Sequence, residues 1–186
     1  MKHVAKAFLP TKFGKFNVHA FADVKLEHLA IVKEFSGTPH VRVHSKCLTG
    51  DGLCSLRCDC REQLEASLKH IENLGGMVIY LDQEGRGIGL ANKIRAYELQ
   101  DQGMDTVDAN VHLGFGADER EYSAVASILG YFKIREIALL TNNPDKISGL
   151  ERVGIKVIER IPLIIRPNEH NGNYLKTKRE RMGHAI

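Results

Sequence analysis

Short apolar runs separated by turn-forming residues make up the first 45 residues of the chain. Turn signals lie at 11–14 and 36–39, and the runs around them are rich in Val, Ile and Phe: VAKAFLP, KFNVHAF, HLAIVKEF and HVRVHS. Runs of this length, with partial alternation of apolar and polar positions, are typical of β-strands. The pattern therefore predicts a strand-rich N-terminal part.

Helical spacing begins after residue 60 and then alternates with further strands. Leucine and isoleucine recur every three or four positions over 61–74, which predicts a helix that the glycine pair at 75–76 ends. The later pattern predicts strands at 77–81, at 137–140 and within KVIERIPLII, and helices beginning at Leu90, carrying the stripe at 125–132 and covering 171–183. Strands that come first and then alternate with helices indicate an α/β (α+β) fold with a mixed sheet. Since no repeat or linker divides the chain, we predict a single domain over residues 1–186.

The composition excludes several classes of protein. With 43% hydrophobic and 26% charged residues, the chain has the make-up of a folded globular protein rather than a disordered one. The longest stretch without Asp, Glu, Lys or Arg is 122–132, shorter than the ~20 apolar residues of a membrane-spanning helix. The N-terminus carries no apolar block of the signal-peptide kind, so we expect a cytoplasmic protein without a membrane partner. The net charge of +3 suits an anionic small molecule better than a nucleic acid.

All four cysteines lie in one short stretch, at Cys47, Cys54, Cys58 and Cys60. Such a cluster indicates metal binding or redox chemistry rather than a disulfide framework, which would spread cysteines along the chain. Cys58 and Cys60 place two thiolates on one tight turn, and the loop after Cys47 is long enough to fold back. Three thiolates would leave one tetrahedral zinc position for water, whereas Cys54 as a fourth ligand would close the site. Both arrangements remain open at this stage, and buried free thiols are the alternative to any metal.

A zinc ion with an open position has a defined chemistry. It lowers the pKa of its bound water to about 7, which suits hydrolysis or ring opening at an electrophilic carbon. Three thiolates put a net negative charge on the metal centre, so this water is less acidic than with three histidine ligands. We therefore expect an acid or base near the cysteines.

Long motifs around and after the cysteines resemble those of the GTP cyclohydrolase II family. RVHSKCLTGD from Arg42 and SLRCDC from Ser55 resemble its zinc-binding signature. Four later segments match in the same order: QEGRGIGLANKIRAYELQDQG, DTVDAN, LGFGADER and LLTNNPDKI. The resemblance runs from about Lys6 to His184, nearly the whole chain. Enzymes of this family open the imidazole ring of GTP and release formate and pyrophosphate, as the first committed step of riboflavin synthesis.

The resemblance implies a ligand set and a substrate site. Zinc would be held by Cys47, Cys58 and Cys60, with Cys54 as an extra thiol. The GTP-binding positions carry over onto Arg42, Val43, His44, Ser45, Lys46, Gln63, Glu84, Gly85, Arg86, Thr106, Thr141 and Lys146. Cationic side chains in this set can form charge-assisted bonds to phosphate, and Glu84 can accept bonds from the N1–H and amino group of guanine. The glycines at 85, 87 and 89 permit close approach of a ligand, or they form an ordinary strand-to-helix turn.

The resemblance also implies the catalytic groups and partners. Asp118 matches the general base of the family, Arg120 a proposed nucleophile towards the α-phosphate, and Tyr97 a tyrosine near zinc. A guanidinium stays protonated, so stabilising charge on the phosphate is the more ordinary role for Arg120. A charged helix start is the alternative interpretation of 118–120. Magnesium bound through the triphosphate and a homodimer are further implications.

Three positions depart from the pattern of the family. Lys46 stands where Glu is common, Arg61 where Gly is common, and Asp82 where Arg is common. Because two of these are charge reversals of opposite sign, we predict an ion pair between Lys46 and Asp82. Arg61 either contacts the metal-bound water or a phosphate, or it is a side chain exposed at a helix start.

Two alternative functions are compatible with the same sequence. One is a relative with the same fold that opens the ring but retains the formyl group; formate release separates it from the full reaction. The other is a zinc-stabilised module that binds nucleotides or RNA without turnover, for which a steep loss of affinity with salt is expected. Its basic surface would be a run near the C-terminus that is otherwise interpreted as a solvated helix face: Lys176, Lys178, Arg179 and Arg181.

Overall fold

Seven strands form one mixed sheet in the computed structural model, which describes residues 1–116 and 118–183. The strands are β1 (Lys2–Thr11), β2 (Gly14–Ala22), β3 (Glu27–Lys33), β4 (His40–Ser45), β5 (Gly76–Leu81), β6 (Glu136–Leu140) and β7 (Lys156–Ile161). The α-helices are α1 (Cys60–Leu74), α2 (Leu90–Asp101), α3 (Thr106–His112), α4 (Ser123–Tyr131), α5 (Pro144–Arg152) and α6 (Gly172–Met182). The predicted α/β fold with a mixed sheet is confirmed.

The sheet has an antiparallel and a parallel half. Its strand order is β1-β2-β3-β5-β4-β6-β7. The first four strands in this order pair antiparallel, and the pairs from β5 through β4 and β6 to β7 are parallel. Parallel strands need crossover connections, and α1 and α5 provide two of them.

Helices cover both faces of the parallel half. On one face, Leu68 and Ile71 of α1 pack with Phe16 and Val78. On the other face, apolar side chains of α4 and α5 complete a larger cluster whose fully buried members include Val41, Ile79, Val125, Ile128, Leu139 and Leu150. Since both of its faces are covered, β5 has the nearly continuous apolar sequence GMVIYL, whereas β4 alternates its valines with the polar site residues Arg42 and His44.

The chain changes direction across the sheet between β4 and β6. The crossover through α1 leads from β4 to its neighbour β5 on one side, while β6 lies on the other side of β4. Only His40 with Ala138 and Val41 with Leu139 pair these two strands, which then diverge towards their carboxyl ends. In open α/β sheets, ligands bind outside the carboxyl ends of strands at such a switch point.

Gly76 allows β4 and β5 to lie side by side. A Cβ atom there would lie 2.0 Å from the His40 carbonyl oxygen, and the φ of +125° disfavours any side chain. We expect Gly76→Ala to lower the free energy of unfolding by at least about 2 kcal/mol, because backbone strain alone costs ~1–3 kcal/mol. Urea denaturation measures this change. Gly130→Ala is the matched control, because Gly130 lies in α4 with open space around it, and an unchanged or raised stability is expected there.

Most elements lie where the sequence predicts them, with two additions. The structure adds α3 and α5, which the apolar pattern did not predict. The strand predicted within KVIERIPLII is β7, which ends at Ile161, before Pro162, a residue with no N–H to donate. His184 of the matched segment and Ala117 of LGFGADER lie outside the described residues. Over the described ranges, no helix combines the length and apolar character needed to cross a bilayer.

Candidate active site

A pocket opens at the switch point between β4 and β6. Its wall contains predicted site residues from β4 and the loop that follows it, from α1, α2, α3 and α5, and from the segments after β5, before α4 and after β6. They are Arg42, His44, Ser45, Lys46, Cys47, Cys58, Cys60, Gln63, Glu84, Gly85, Arg86, Tyr97, Thr106, Arg120, Thr141 and Lys146. Val43 is buried in the core, and Asp118 reaches the pocket through its ion pair with Arg120. Side chains far apart in the sequence therefore meet in one place.

Three sulfur atoms on the pocket wall form a group that fits zinc. The Sγ atoms of Cys47, Cys58 and Cys60 all lie within 4.8 Å of one another, and those of Cys47 and Cys58 are 3.8 Å apart. Tetrahedral zinc with Zn–S bonds of ~2.3 Å requires a spacing of about 3.8 Å. A Cβ atom on Gly50 would lie 2.9 Å from the Cys58 sulfur, so the absence of a side chain there makes room for the cluster. Donor set and spacing both fit the ion.

Cys54 is not part of this group. Its side chain is exposed, and its sulfur accepts a hydrogen bond of 2.6 Å from Arg61 Nη1. Among the described residues, the metal-binding group contains three cysteines. This arrangement is the open, three-ligand alternative rather than the closed, four-ligand one.

The three clustered thiols share their protons unequally. Hydrogen bonds from the Cys58 and Cys60 thiols lower the pKa of Cys47 far below its ordinary value, and the nearby Lys93 ammonium acts in the same direction. The hydrogen bond to Cys47 raises the pKa of Cys58 to about 11. The pKa of Cys60 is raised as well, for the same reason. The protein alone thus stabilises one thiolate, and a metal ion must displace the other two protons.

Asp51 fixes the loop that carries Cys47. Its carboxylate accepts hydrogen bonds from the Tyr80 hydroxyl at 2.8 Å and the Cys47 amide at 3.0 Å, and it lies 3.2 Å from His44 Nε2. Burial lowers the pKa of His44, although the Asp51 hydrogen bond opposes this shift. A neutral imidazole therefore contributes to the pocket wall.

Two buried cations fill the gap where β4 and β6 diverge. Arg42 Nη1 donates to the Leu140 carbonyl at 3.0 Å, and Lys146 Nζ donates to the Val43 carbonyl at 2.7 Å. They replace ladder bonds that the separated strands cannot make. Burial lowers the pKa of Arg42 to about 10, so its charge persists at neutral pH. The pocket floor is consequently cationic.

Three polar atoms at this floor have unsatisfied hydrogen-bonding capacity. Arg42 Nε, His44 Nδ1 and Ser45 Oγ are buried and make no hydrogen bond within the part of the chain that the structure describes. Buried polar groups are normally satisfied, so their clustering at one pocket is typical of a ligand site.

Glu84 is held firmly at the start of the glycine-rich turn. Its Oε2 accepts from the Leu48 amide at 2.6 Å, and its Oε1 accepts from Lys93 Nζ at 2.8 Å and the Gly85 amide at 3.1 Å. Gly85 and Arg86 follow in left-handed conformations with φ near 63° and 62°. A left-handed arginine is uncommon, and such strain concentrates at functional sites.

Asp118 and Arg120 form a two-pronged ion pair. Arg120 Nε donates to both carboxylate oxygens at 2.8 and 3.0 Å, and Arg120 Nη2 also contacts Oδ2. Burial opposes the shift, but the hydrogen bonds and charge of Arg120 hold the pKa of Asp118 below its ordinary value. Conversely, Asp118 raises the pKa of Arg120 despite its burial. Both residues precede α4, so the interpretation of 118–120 as a helix start is wrong.

Tyr97 stands between the thiol cluster and a surface arginine. The Arg57 guanidinium lies 4.4 Å from the centre of its ring. Burial raises the pKa of Tyr97 to about 12, so its hydroxyl remains a proton donor at neutral pH. Tyr97 and the three clustered cysteines line the same pocket.

Comparison with known proteins decides the family. The family model of GTP cyclohydrolase II matches residues 2–162. This chain belongs to the GTP cyclohydrolase II family. The GTP cyclohydrolase-2 of Campylobacter hominis is 57% identical over 100% of this chain and 95% of its own length. That of Picrophilus torridus is 54% identical over 98% of this chain and 97% of its own.

Longer proteins also contain a segment similar to this chain. The riboflavin biosynthesis protein RibBA of Synechocystis is 54% identical over 95% of this chain, which corresponds to 33% of that protein. Among solved structures, RibBX of A. baumannii, a two-domain 3,4-dihydroxy-2-butanone 4-phosphate synthase, aligns with a TM-score of 0.50 at 17% identity. That alignment covers 86% of this chain and 40% of RibBX, and it concerns the fold alone.

This member of the GTP cyclohydrolase II family has pocket residues to which the sequence analysis gave no role. They include Lys93, Asn110, Asn142, Asn143 and Tyr174. The sequence could have indicated Lys93, because this residue lies one helical turn before Tyr97 on the same face of the predicted helix. Asn143 caps α5 through its side chain, a role indicated by the proline that follows it. Asn110 and Tyr174 lie in elements that join the pocket only through tertiary packing.

The charge reversals in this GTP cyclohydrolase II family member form the predicted pair. Lys46 Nζ lies 2.9 Å from Asp82 Oδ1 at the edge of the pocket. Arg61 pairs with Glu65 at 3.0 Å and with the Cys54 sulfur, away from the pocket. Arg61 is thus a partly exposed side chain at the start of α1.

Restoring the residues common in the family tests the Lys46–Asp82 pair. Lys46→Glu and Asp82→Arg each place like charges together, and we expect each to lower kcat/KM by no more than about fivefold, because exposed pairs contribute ~0.2–1 kcal/mol. The double variant is expected to recover most of this loss. Steady-state kinetics of the four proteins form a double-mutant cycle, and additive losses would contradict the pairing.

Proposed function

We propose that this chain is a zinc-dependent GTP cyclohydrolase II acting at the start of riboflavin synthesis. It hydrolyses both C8–N bonds of the guanine imidazole ring, releasing C8 as formate, and cleaves the α–β phosphoanhydride to release pyrophosphate. The product is a diamino-ribosylamino-pyrimidinone phosphate. The observation that carries the proposal is the meeting of a three-thiol metal site, a cationic floor and the Asp118–Arg120 pair in one pocket.

Cys47, Cys58 and Cys60 would hold zinc in this proposal. Zinc supplies Lewis acidity and water of lowered pKa at neutral pH. Around it, the protonated Tyr97 hydroxyl can donate to a developing negative charge, and the Asp118 carboxylate can accept a proton during ring opening. Asp118 is fully ionised at neutral pH because its pKa is lowered.

The cationic floor accounts for selection of a triphosphate. Arg42, Lys146 and Arg86 are proposed to attract and orient the phosphates, with His44 and Ser45 donating or accepting through their unpartnered atoms. Magnesium would arrive with the triphosphate, because the metal-binding group found in the described residues is built of thiols, which magnesium avoids. Val43, Lys46, Gln63, Gly85, Thr106 and Thr141 complete the proposed GTP-binding set.

Glu84 is proposed to select guanine. Three protein donors occupy its carboxylate, which has about four acceptor positions, so Oε2 can accept one further N–H. Guanine presents such donors at N1 and its amino group, whereas the corresponding edge of adenine lacks the N1–H. One bond to Glu84, rather than two, is the expected contribution.

Arg120 is proposed to stabilise phosphate charge rather than to attack phosphorus. Its pKa is raised by Asp118, and a protonated guanidinium has no lone pair for nucleophilic attack. Its side chain lines the pocket while both carboxylate oxygens fix its direction. A preorganised cation of this kind is a common means of lowering the barrier to phosphoryl transfer.

The assay that tests the function measures formate and pyrophosphate together. Purified, zinc-loaded protein is incubated with GTP and magnesium, with ATP as the control nucleotide. Both products from GTP and neither from ATP are expected. Pyrophosphate without formate would identify the relative that retains the formyl group. If neither product forms, the result would favour the binding module without turnover.

The RNA-binding alternative has little support in the charge distribution. Arg181 of the basic C-terminal run contacts Asp105 and Asp108 of this same chain, so part of that run is already neutralised. If RNA were the ligand, affinity would fall steeply with salt.

The whole chain, residues 1–186, is proposed to act as one domain and to assemble as a homodimer in the cytoplasm. Family membership supports the assembly, and four unpaired cysteines support a reducing compartment. Analytical ultracentrifugation measures the assembly directly.

A further inference from the structure

Lys93 is a buried cation that uses all three of its donors. The residue is 8% exposed on the inner side of α2. Its Nζ lies 2.8 Å from Glu84 Oε1, 2.8 Å from Thr49 Oγ1 and 3.1 Å from Cys47 Sγ. An ammonium group has three N–H donors, so each of them has a partner. Burying a charge is costly unless it is paired and hydrogen-bonded, and this one is.

The partners of Lys93 belong to different parts of the site. Glu84 begins the glycine-rich turn after β5, whereas Thr49 and Cys47 lie in the loop after β4 that carries the first thiol. A second bond runs in parallel, because the Leu48 amide donates to Glu84 Oε2 at 2.6 Å. Glu84 is thus attached twice to the stretch 47–49, directly through the Leu48 amide and indirectly through Lys93.

We propose that Lys93 is a positioning residue that couples the base-binding carboxylate of Glu84 to the Cys47 thiolate of the metal site. This inference rests on the proposed function, because it assigns a further residue to the same reaction. The Lys93 ammonium fixes the orientation of Glu84 and withdraws electron density from the Cys47 sulfur.

Withdrawal of electron density from the Cys47 sulfur would offset the excess negative charge of a three-thiolate site. Three thiolates surround a zinc ion with excess negative charge, which reduces its Lewis acidity. A cation donating to one of them offsets part of that charge without occupying a coordination position. Replacing a group that hydrogen-bonds to a metal ligand commonly lowers metal affinity or activity by ~10–100-fold.

Lys93→Met tests the proposal, with Arg95→Met as the matched control. Methionine keeps the length of the side chain and removes its charge. Arg95 lies on the same helix with an exposed side chain that contacts Asn92, so its replacement removes one charge of the same sign. For Lys93→Met we expect the KM for GTP to rise by about tenfold, with kcat also reduced. Arg95→Met is expected to match the unmodified protein.

A spectroscopic measurement separates this role from a general loss of structure. Cobalt(II) replaces zinc, and its thiolate-to-metal charge-transfer band reports the electron density on the cysteines. At equal cobalt occupancy, we expect the band of Lys93→Met to move to longer wavelength, because a thiolate without a hydrogen bond is a stronger donor. A purely structural defect would lower the occupancy without moving the band. If Lys93→Met does not fold, Lys93→Gln takes its place, with a smaller shift in the same direction.

The outcomes separate this inference from the proposed function. An unchanged band and an unchanged KM in an active, fully loaded variant would overturn the role of Lys93 and leave the GTP reaction standing. If the unmodified protein does not turn over GTP, the proposed function fails. The cobalt band, which needs no turnover, then decides by itself whether Lys93 acts on Cys47.

Discussion

Replacing Cys58 by serine is expected to lower formate release from GTP by more than about 100-fold, beyond the ~10–100-fold losses typical when a group supporting a metal ligand is changed. Cys58 is buried, and its sulfur lies 3.8 Å from that of Cys47, the spacing that tetrahedral zinc requires. Serine is a poor zinc ligand at neutral pH. Metal analysis is therefore expected to show reduced zinc alongside the kinetic loss.

Cys54→Ser provides the control for Cys58→Ser. It removes a thiol from the same loop region, but that thiol is exposed and bonded to Arg61. We expect unchanged zinc content and unchanged activity. Full activity in Cys58→Ser, or loss of zinc in Cys54→Ser, would show that the metal site is assembled differently.

Arg120→Met is expected to lower kcat by about 100- to 1,000-fold, the loss seen when one preorganised stabilising donor is removed from an active site. The guanidinium lines the pocket, and its pairing with Asp118 fixes its direction before substrate binds. The same substitution removes the group that depresses the pKa of Asp118, so the acid limb of the pH–rate profile is expected to move to higher pH. Steady-state kinetics across pH measures both effects.

Covalent capture distinguishes stabilisation from nucleophilic attack. GTP labelled at the α-phosphate is mixed with the protein and quenched in denaturant during turnover. We expect no label on the protein, since a guanidinium held by Asp118 stays protonated. Label attached at Arg120 would refute this role. Arg135→Met, at an exposed position outside the pocket, is the control for loss of an arginine.

The sequence is informative where side chains repeat in a simple pattern. The N-terminal strands and α1 follow from local periodicity, and most of their boundaries agree within a few residues. Helix α5 was missed because it has only nine residues and its buried positions include Lys146 and Gly149, which weaken the short stripe of Ile147, Leu150 and Val153. Helix α3 has only seven residues and buries Ala109 and Asn110. The two helices that the pattern did not predict are short, and each buries polar or small residues.

The sequence was sufficient to predict the chemical groups of the site, but not most of the hydrogen bonds that connect them. Spacing of the cysteines was enough to indicate a metal site, and the reversed charges were enough to predict the Lys46–Asp82 pair. The roles of Lys93 and Asp51 depend in part on contacts with Cys47 and Tyr80, which lie 46 and 29 positions away in the sequence. Such contacts leave no periodic trace in one sequence.

The narrow pairing of β4 with β6 has a consequence for local stability. Two residue pairs join these strands, and beyond them Arg42 and Lys146 span the gap with side-chain bonds. Local opening of a protein begins where backbone bonds are few, so hydrogen exchange at this boundary should be faster than along β3 and β5. A nucleotide bound across the carboxyl ends of β4 and β6 would stabilise this boundary of the sheet. The resistance of the enzyme to heat and to proteolysis would then rise with substrate concentration.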